Sequence, residues 1–123
     1  MAEHTDFGNM AEQLAEKHLL SQGYEILARN YRFQKAEIDL IALYDECIII
    51  VEVKARSTDI FLEPHEAVTK GKIKLLVKAA DHYLNSNQID REVRFDIISV
   101  LREKNGSLRL THLEDAFQSF DAN

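Results

Sequence analysis

Apolar positions recur at helical spacing in the N-terminal segment. On a 100° wheel Phe7, Ala11, Leu14, Ala15, His18 and Leu19 share one arc, which predicts a helix from Asp6 to Gln22. Gly23 supplies a left-handed stop. Tyr24–Tyr31 is rich in aromatic and branched residues and reads as a strand. Ala36–Leu43 and Cys47–Ala55 read as two more, joined by the polar Tyr44-Asp45-Glu46. Pro64, the only proline, sits where a helix can begin, and the helical pattern runs on to about Leu84, ended by Asn85-Ser86-Asn87. Val93–Leu101 is a strand, Glu103–Ser107 a turn and Leu108–His112 a short last strand. The predicted order α-β-β-β-α-β-β means an α/β fold, a mixed sheet flanked by helices.

The central hairpin carries the chemistry. In its second strand Cys47, Ile49, Val51, Val53 and Ala55 form an apolar face, while Ile48, Ile50, Glu52, Lys54 and Arg56 turn from apolar to charged. In the first, Ile38, Leu40 and Ala42 oppose Glu37, Asp39, Ile41 and Leu43. An antiparallel register with Leu43 opposite Ile48 pairs Ile41 with Ile50, Asp39 with Glu52 and Glu37 with Lys54. It keeps Ala42/Ile49, Leu40/Val51 and Ile38/Val53 apolar on the reverse face. A slip of one residue would place Asp39 among the valines, so the parity is firm; a slip of two keeps the faces, so the exact partners stay open.

That register sets two like charges against each other where apolar surface ends, which is unfavourable unless something offsets it. Lys54 is one candidate. A divalent cation such as Mg²⁺ is another, because it takes hard oxygen ligands and needs only one or two carboxylates besides water and phosphate oxygens. It would lower the pKa of a water and neutralise charge on a phosphoryl oxygen, while a lysine nearby orients that water or stabilises developing charge.

Composition narrows the field. A chain of 123 residues, 46% apolar and 29% charged, suits one compact domain over residues 1–123, with the tail from about Glu114 to Asn123 expected to be flexible. The single cysteine, Cys47, excludes an internal disulfide and a Cys-based zinc cluster and fits a reducing cytoplasm. The longest apolar run, Cys47–Val51, is far too short to span a membrane, and the polar start is unlike a signal peptide. A net charge of −6 argues against a general nucleic-acid coat but not against a local basic site; Thr69–Ala80 holds four lysines and no acid. With glycines only at 8, 23, 71 and 106 there is no phosphate-cradling loop, and no nucleophile elbow is present.

Asp39 followed by Glu52-Val53-Lys54 resembles the Asp…Asp/Glu-x-Lys motif of restriction-endonuclease-like nucleases. The chain resembles still more closely the YraN-like proteins, small bacterial relatives of archaeal Holliday junction resolvases. Gly8-Asn9-Met10-Ala11-Glu12-Gln13-Leu14-Ala15, Arg29-Asn30, Glu37–Ile41, Val51–Arg56, Arg94-Phe95-Asp96 and Ala116-Phe117 carry the likeness. Ala36 departs from it, standing where the family usually has glycine. The resemblance implies a restriction-endonuclease-like core and a Mg²⁺- or Mn²⁺-dependent phosphodiesterase acting on DNA, including branched DNA. Asp39 and Glu52 would ligate the metal, with the Val53 carbonyl, and Glu12 would assist through water. Lys54 would position the attacking water. Related resolvases pair two sites, so a homodimer is an expectation too.

Other charged residues are assigned more plainly. Lys35 and Arg56 would flank the charged end of the hairpin for phosphate contacts, and Lys72, at the edge of its helix's apolar arc, could reach over the sheet end towards substrate. Lys70, Lys74 and Lys78 form a solvated stripe, His18 a satisfied buried histidine, and Arg94 with Asp96 a structural pair. Two other functions compete with the nuclease: a nucleic-acid-binding module without turnover, and a protein–protein adaptor whose charged patch is an ion-pair network.

Overall fold

A computed structural model describes the backbone of residues 2–57 and 68–122, and their side chains apart from those at 2–5, 120 and 122. Helix α1 (Ala2–Ser21) leads into strands β1 (Glu25–Phe33), β2 (Ala36–Tyr44) and β3 (Cys47–Ser57). Helix α2 (Lys70–Ser86) precedes β4 (Val93–Arg102) and β5 (Leu108–Phe117), and a 3-10 turn follows at Ser119–Ala122. The strands lie in the order β1-β2-β3-β4-β5. All neighbours are antiparallel except β3 and β4, and that parallel step requires a crossover, which contains α2. The described residues are therefore mixed α/β, one five-stranded sheet with two α-helices. Among the described residues no helix is long and apolar enough to cross a membrane.

Helices α1 and α2 cover opposite faces. Phe7, Ala11, Ala15 and Leu19 of α1 are buried, one per turn, and pack with Leu40, Ala42, Ile49, Val51, Ile98 and Val100. The two central alanines let this helix lie close to the sheet. Ile73, Leu76, Ala79, Ala80 and Tyr83 of α2 pack instead with Ile41, Ile48, Ile50, Phe95 and Ile97. Each large aliphatic buried this way contributes about 2 kcal/mol. The α2 helix starts at Lys70, where the Thr69 hydroxyl accepts the Lys72 N–H at 3.2 Å. The start expected at Pro64 lies outside the described residues. The last strand, expected to stop at His112, runs on to Phe117, whose ring stacks on Phe95.

The chain leaves α1 through a paired hydrogen-bond closure: Tyr24 N–H donates to Leu19 O and Gly23 N–H to Leu20 O. Gly23 has φ +92° there, a conformation in which a side chain is strained. Gly23→Ala is expected to cost about 1–2 kcal/mol, read as a lowered urea midpoint.

The hairpin register bears directly on the candidate site. Leu43 faces Ile48, Ala42 faces Ile49, Ile41 faces Ile50 and Leu40 faces Val51, one of the registers that the hydrophobic pattern allows. Asp45 (φ +52°) and Glu46 (φ +62°) form the two-residue loop, both in the left-handed region that a type I′ turn needs. The ladder then ends at Leu40/Val51. The pairs Asp39/Glu52, Glu37/Lys54 and Ile38/Val53 expected beyond it are not formed. The Asp39 carboxylate itself accepts the Val53 N–H, at 2.8 Å.

Ile38 also leaves the face expected for it. It packs with the α2 cluster, whereas Leu40 and Ala42 pack with α1. In the neighbouring strand Arg29 reaches α1 through Glu16, while Tyr31 reaches α2, and Asn30 between them has φ +50°. Alternation is thus interrupted in both strands at the level of Asn30 and Asp39. Period-two reading carries no signal for such a break, because a left-handed residue reverses which face its successors take.

Candidate functional site

Where β2 and β3 part company, four acids approach one another from three elements. Glu52 continues the apolar face of β3 begun by Ile48 and Ile50, and so is carried inward: it is only 4% exposed. Its Oε2 meets Lys72 Nζ at 2.9 Å and Lys54 Nζ at 3.5 Å. Its Oε1 is buried without a hydrogen-bond partner. A buried carboxylate oxygen with nothing to accept from is costly and calls for an explanation.

Asp39 stands beside it. Burial first, then the Glu52 charge, push its carboxyl up to about 7, against the opposing pull of the Val53 N–H. Glu12 comes from α1 on the other side of the sheet; burial, then Glu37 and Glu52, raise its pKa. With its carboxamide nitrogen turned towards the acids, Asn30 donates to Glu12 Oε1 at 3.3 Å and Glu37 Oε2 at 3.2 Å. Burial works to lower the Lys72 pKa, but the Glu52 hydrogen bond and charge, with Asp39 and Glu37, outweigh it and hold the ammonium protonated.

A cleft of about 340 Å³ opens on this cluster, lined by Lys35, Ala36, Glu37, Asp39, Lys72, Leu75 and Leu76. Among the described residues no group of three or more His, Cys, Asp and Glu side chains is already gathered as a metal site. The donors present are nonetheless hard oxygens: orphaned Glu52 Oε1, the Asp39 carboxyl and the Val53 carbonyl. That carbonyl shares its strand edge with the N–H that Asp39 holds. Such a set suits Mg²⁺ or Mn²⁺ completed by water, and lacks the nitrogen and sulfur ligands that favour zinc.

Of the residues singled out from sequence, Asp39, Glu52, Lys54, Glu12 and Lys72 are brought together, and Lys35 lines the cleft. Lys72 stands nearer Glu52 than Lys54 does, so its expected part as a substrate contact is joined by an ion pair inside the cluster. Arg56 reaches β4, where its Nη2 donates to Ser99 Oγ at 3.2 Å. Asn30 was legible only as part of the Arg29-Asn30 motif. Its partner Arg29 makes a two-pronged ion pair to Glu16, at 2.7 and 2.5 Å, tying β1 to α1.

A second polar cluster lies in the α1 layer. Fully buried Asp96 takes both prongs of Arg94 at 2.9 and 2.8 Å, the Asp115 N–H at 3.0 Å and His112 Nε2 at 2.7 Å. His112 Nδ1 meets His18 Nε2 at 3.0 Å, and Arg94 also donates to the Tyr24 hydroxyl. Burial would raise Asp96, but the bonds from His112 and Arg94 outweigh it and hold its carboxyl below the usual range. Burial, then the His112 charge, lowers His18. The structural pairing of Arg94 with Asp96 matches expectation, and His18 is hydrogen-bonded as expected but half-buried rather than buried; that they share one network does not follow from residues so far apart in the chain.

Comparisons with known proteins give a family and no activity. The model of UPF0102, an uncharacterised protein family, matches residues 11–100. A UPF0102 protein of Flavobacterium psychrophilum is 48% identical over 120 residues, covering 98% of this chain and 100% of the relative. One of Bacteroides thetaiotaomicron is 46% identical over 117 residues, covering 95% and 96%. Among solved structures, Pyrococcus furiosus SfsA in complex with Ca²⁺ is 14% identical with a TM-score of 0.46; the alignment covers 90% of this chain and 63% of that one. At that distance no chemistry carries across.

Proposed function

Since the chain belongs to the UPF0102 family, whose description names no reaction, we propose on the strength of the site itself that it is a divalent-metal-dependent phosphodiesterase acting on DNA, branched DNA included, with a restriction-endonuclease-like core. The observation that carries this reading is the orphaned, buried Oε1 of Glu52 beside an aspartate whose ionisation is suppressed by the same burial and charge. Two carboxyls forced together at the edge of a cleft are stabilised most directly by a cation between them.

Glu52 and Asp39 would hold Mg²⁺ or Mn²⁺ with the Val53 carbonyl, and Glu12 would reach it through water. Bound there, the ion would acidify a water molecule and offset charge on a phosphoryl oxygen. Lys54, less than one-third exposed, orients the attacking water and shields the developing negative charge. Lys72 holds Glu52 Oε2 in the metal-free site and would be free to meet a phosphate once an ion takes its place. Lys35 lies on the cleft wall for the same purpose. The expected homodimer belongs to this reading, and light scattering of the purified chain tests it.

Titration with Mn²⁺ in a calorimeter, followed by a cleavage screen over duplex, flap and four-way DNA, tests the proposal. Asp39 carries a proton below about pH 7, so the ion must displace it. Affinity should therefore rise about tenfold per pH unit up to 7 and level off above. A flat profile between pH 5.5 and 7 would remove Asp39 as a ligand. One observation favours a second reading: Lys72 and Lys54 already supply cations to Glu52, as an ion-pair network without metal would have it. In that case Lys72→Met alone would destabilise the protein and no divalent ion would restore it.

A further inference from the structure

We propose that the stacked rings of His82 and Phe33 form a platform for an unpaired nucleobase, so that the DNA this site receives carries a single-stranded segment beside the cleft. The inference rests on the phosphodiesterase reading for its position and on the rings for its chemistry. The His82 and Phe33 ring centroids are 3.9 Å apart with planes inclined by 17°. Tyr31 Oη holds His82 Nδ1 at 2.5 Å, Ser86 Oγ lies 3.5 Å from Nε2, and Tyr31 itself packs edge-on against Tyr83. His82 is exposed although its ring is held from three sides, and Phe33 lies half-buried beneath it. An exposed flat ring fixed in orientation loses little freedom when a base settles on it.

Its place in the fold connects it to the acids. Phe33 is opposite Ala36 across the β1–β2 turn, and Ala36 lines the cleft with Lys35, Leu75, Lys72 and Asp39. On α2, Lys72, Leu75 and His82 follow one side of the helix, so the platform lies about 15 Å along the axis from Lys72. Leu75 is 36% exposed between them. Lys35 beside the turn and Lys78, one helical turn before His82, provide positive charge for a backbone running along this path. Bases inside a duplex are already stacked and cannot use the ring; unpaired ones can, whatever their identity.

The chain has no tryptophan, so His82→Trp creates a single fluorescent reporter in the platform. In EDTA, which prevents cleavage, a single-stranded or forked oligonucleotide should quench that reporter, and a blunt duplex of the same sequence should not. His82→Ala should weaken single-strand binding about tenfold and leave duplex binding unchanged, with circular dichroism confirming that both variants are folded. Equal single-strand affinity for His82→Ala and wild type overturns the platform, as does equal quenching by duplex and single strand. If wild type cleaves with Mn²⁺ while these signals are absent, only the platform falls. If the signals appear and no divalent ion supports cleavage, the phosphodiesterase reading falls and the platform stands. Wild type that binds no DNA overturns the platform outright.

Discussion

Asp39→Asn should abolish Mn²⁺ binding and lower cleavage by roughly 10³-fold or more, yet make the metal-free protein more stable at pH 8. The two effects have one cause. The folded-state pKa of Asp39, about 7, lies above its ordinary value of 3.8. A carboxyl raised in this way contributes its stability fully below the unfolded value and loses it as pH rises through the folded one. At pH 8 the native state therefore holds an ionised Asp39 against Glu52. Asparagine removes that charge and keeps an oxygen to accept the Val53 N–H. Relief of about 1–3 kcal/mol is expected, seen as a melting temperature several degrees higher at pH 8 and little changed near pH 4. Glu52→Gln should also eliminate the ion but without the stability gain, because it strips Lys72 and Lys54 of their partner. Equal heats of Mn²⁺ binding for wild type and Asp39→Asn would end the metal proposal.

The largest loss of stability is expected at the other cluster. Asp96→Ala leaves the Arg94 guanidinium, His112 and the Asp115 N–H without their common acceptor in a fully buried place. Breaking a buried pair from one side costs roughly 3–5 kcal/mol, a large share of the 5–15 kcal/mol typical of a domain. Urea unfolding should show the midpoint collapse or the protein fail to fold. Asp96→Asn, which keeps an acceptor, should lose less. The same network predicts an acid limb. His18 titrates below its ordinary 6.5 in the folded state, so the unfolded chain takes up the proton first and stability declines as pH falls through 6.5. His18→Gln should flatten that decline; an unchanged slope would show that other groups set it. Asp96, with its lowered pKa, adds a further loss only below about pH 4.

Much of the frame was legible in the chain. Alternation along Leu40–Leu43 and Ile48–Val51 determined the parity of the hairpin pairing, because a one-residue slip would have moved every buried isoleucine to the wrong face; the exact partners came with the two-residue Asp45-Glu46 loop. Glu52 could be placed at the end of an apolar face from its spacing to Ile48 and Ile50. Its likeness to an Asp…Glu-x-Lys pattern marked it as a candidate for chemistry. Asp39 does come close to Glu52, but in another relation than expected. It does not face Glu52 across a ladder pair; it ends the ladder by taking the Val53 N–H. That exchange of a backbone acceptor for a side-chain one leaves no trace in hydrophobic periodicity. Nor does the left-handed Asn30, at which two strands change faces together.

Local order and the identity of the acids thus come from the sequence, since burial patterns act over neighbours two to four positions apart. The meeting of α2's Lys72 with Glu52, of α1's Glu12 with Asn30, and of His18 with His112 was decided only when the helices closed on opposite faces of the sheet. Those contacts join groups from 18 to 94 positions apart, and their energies depend on distance and water exclusion. Neither quantity exists until the layers have packed.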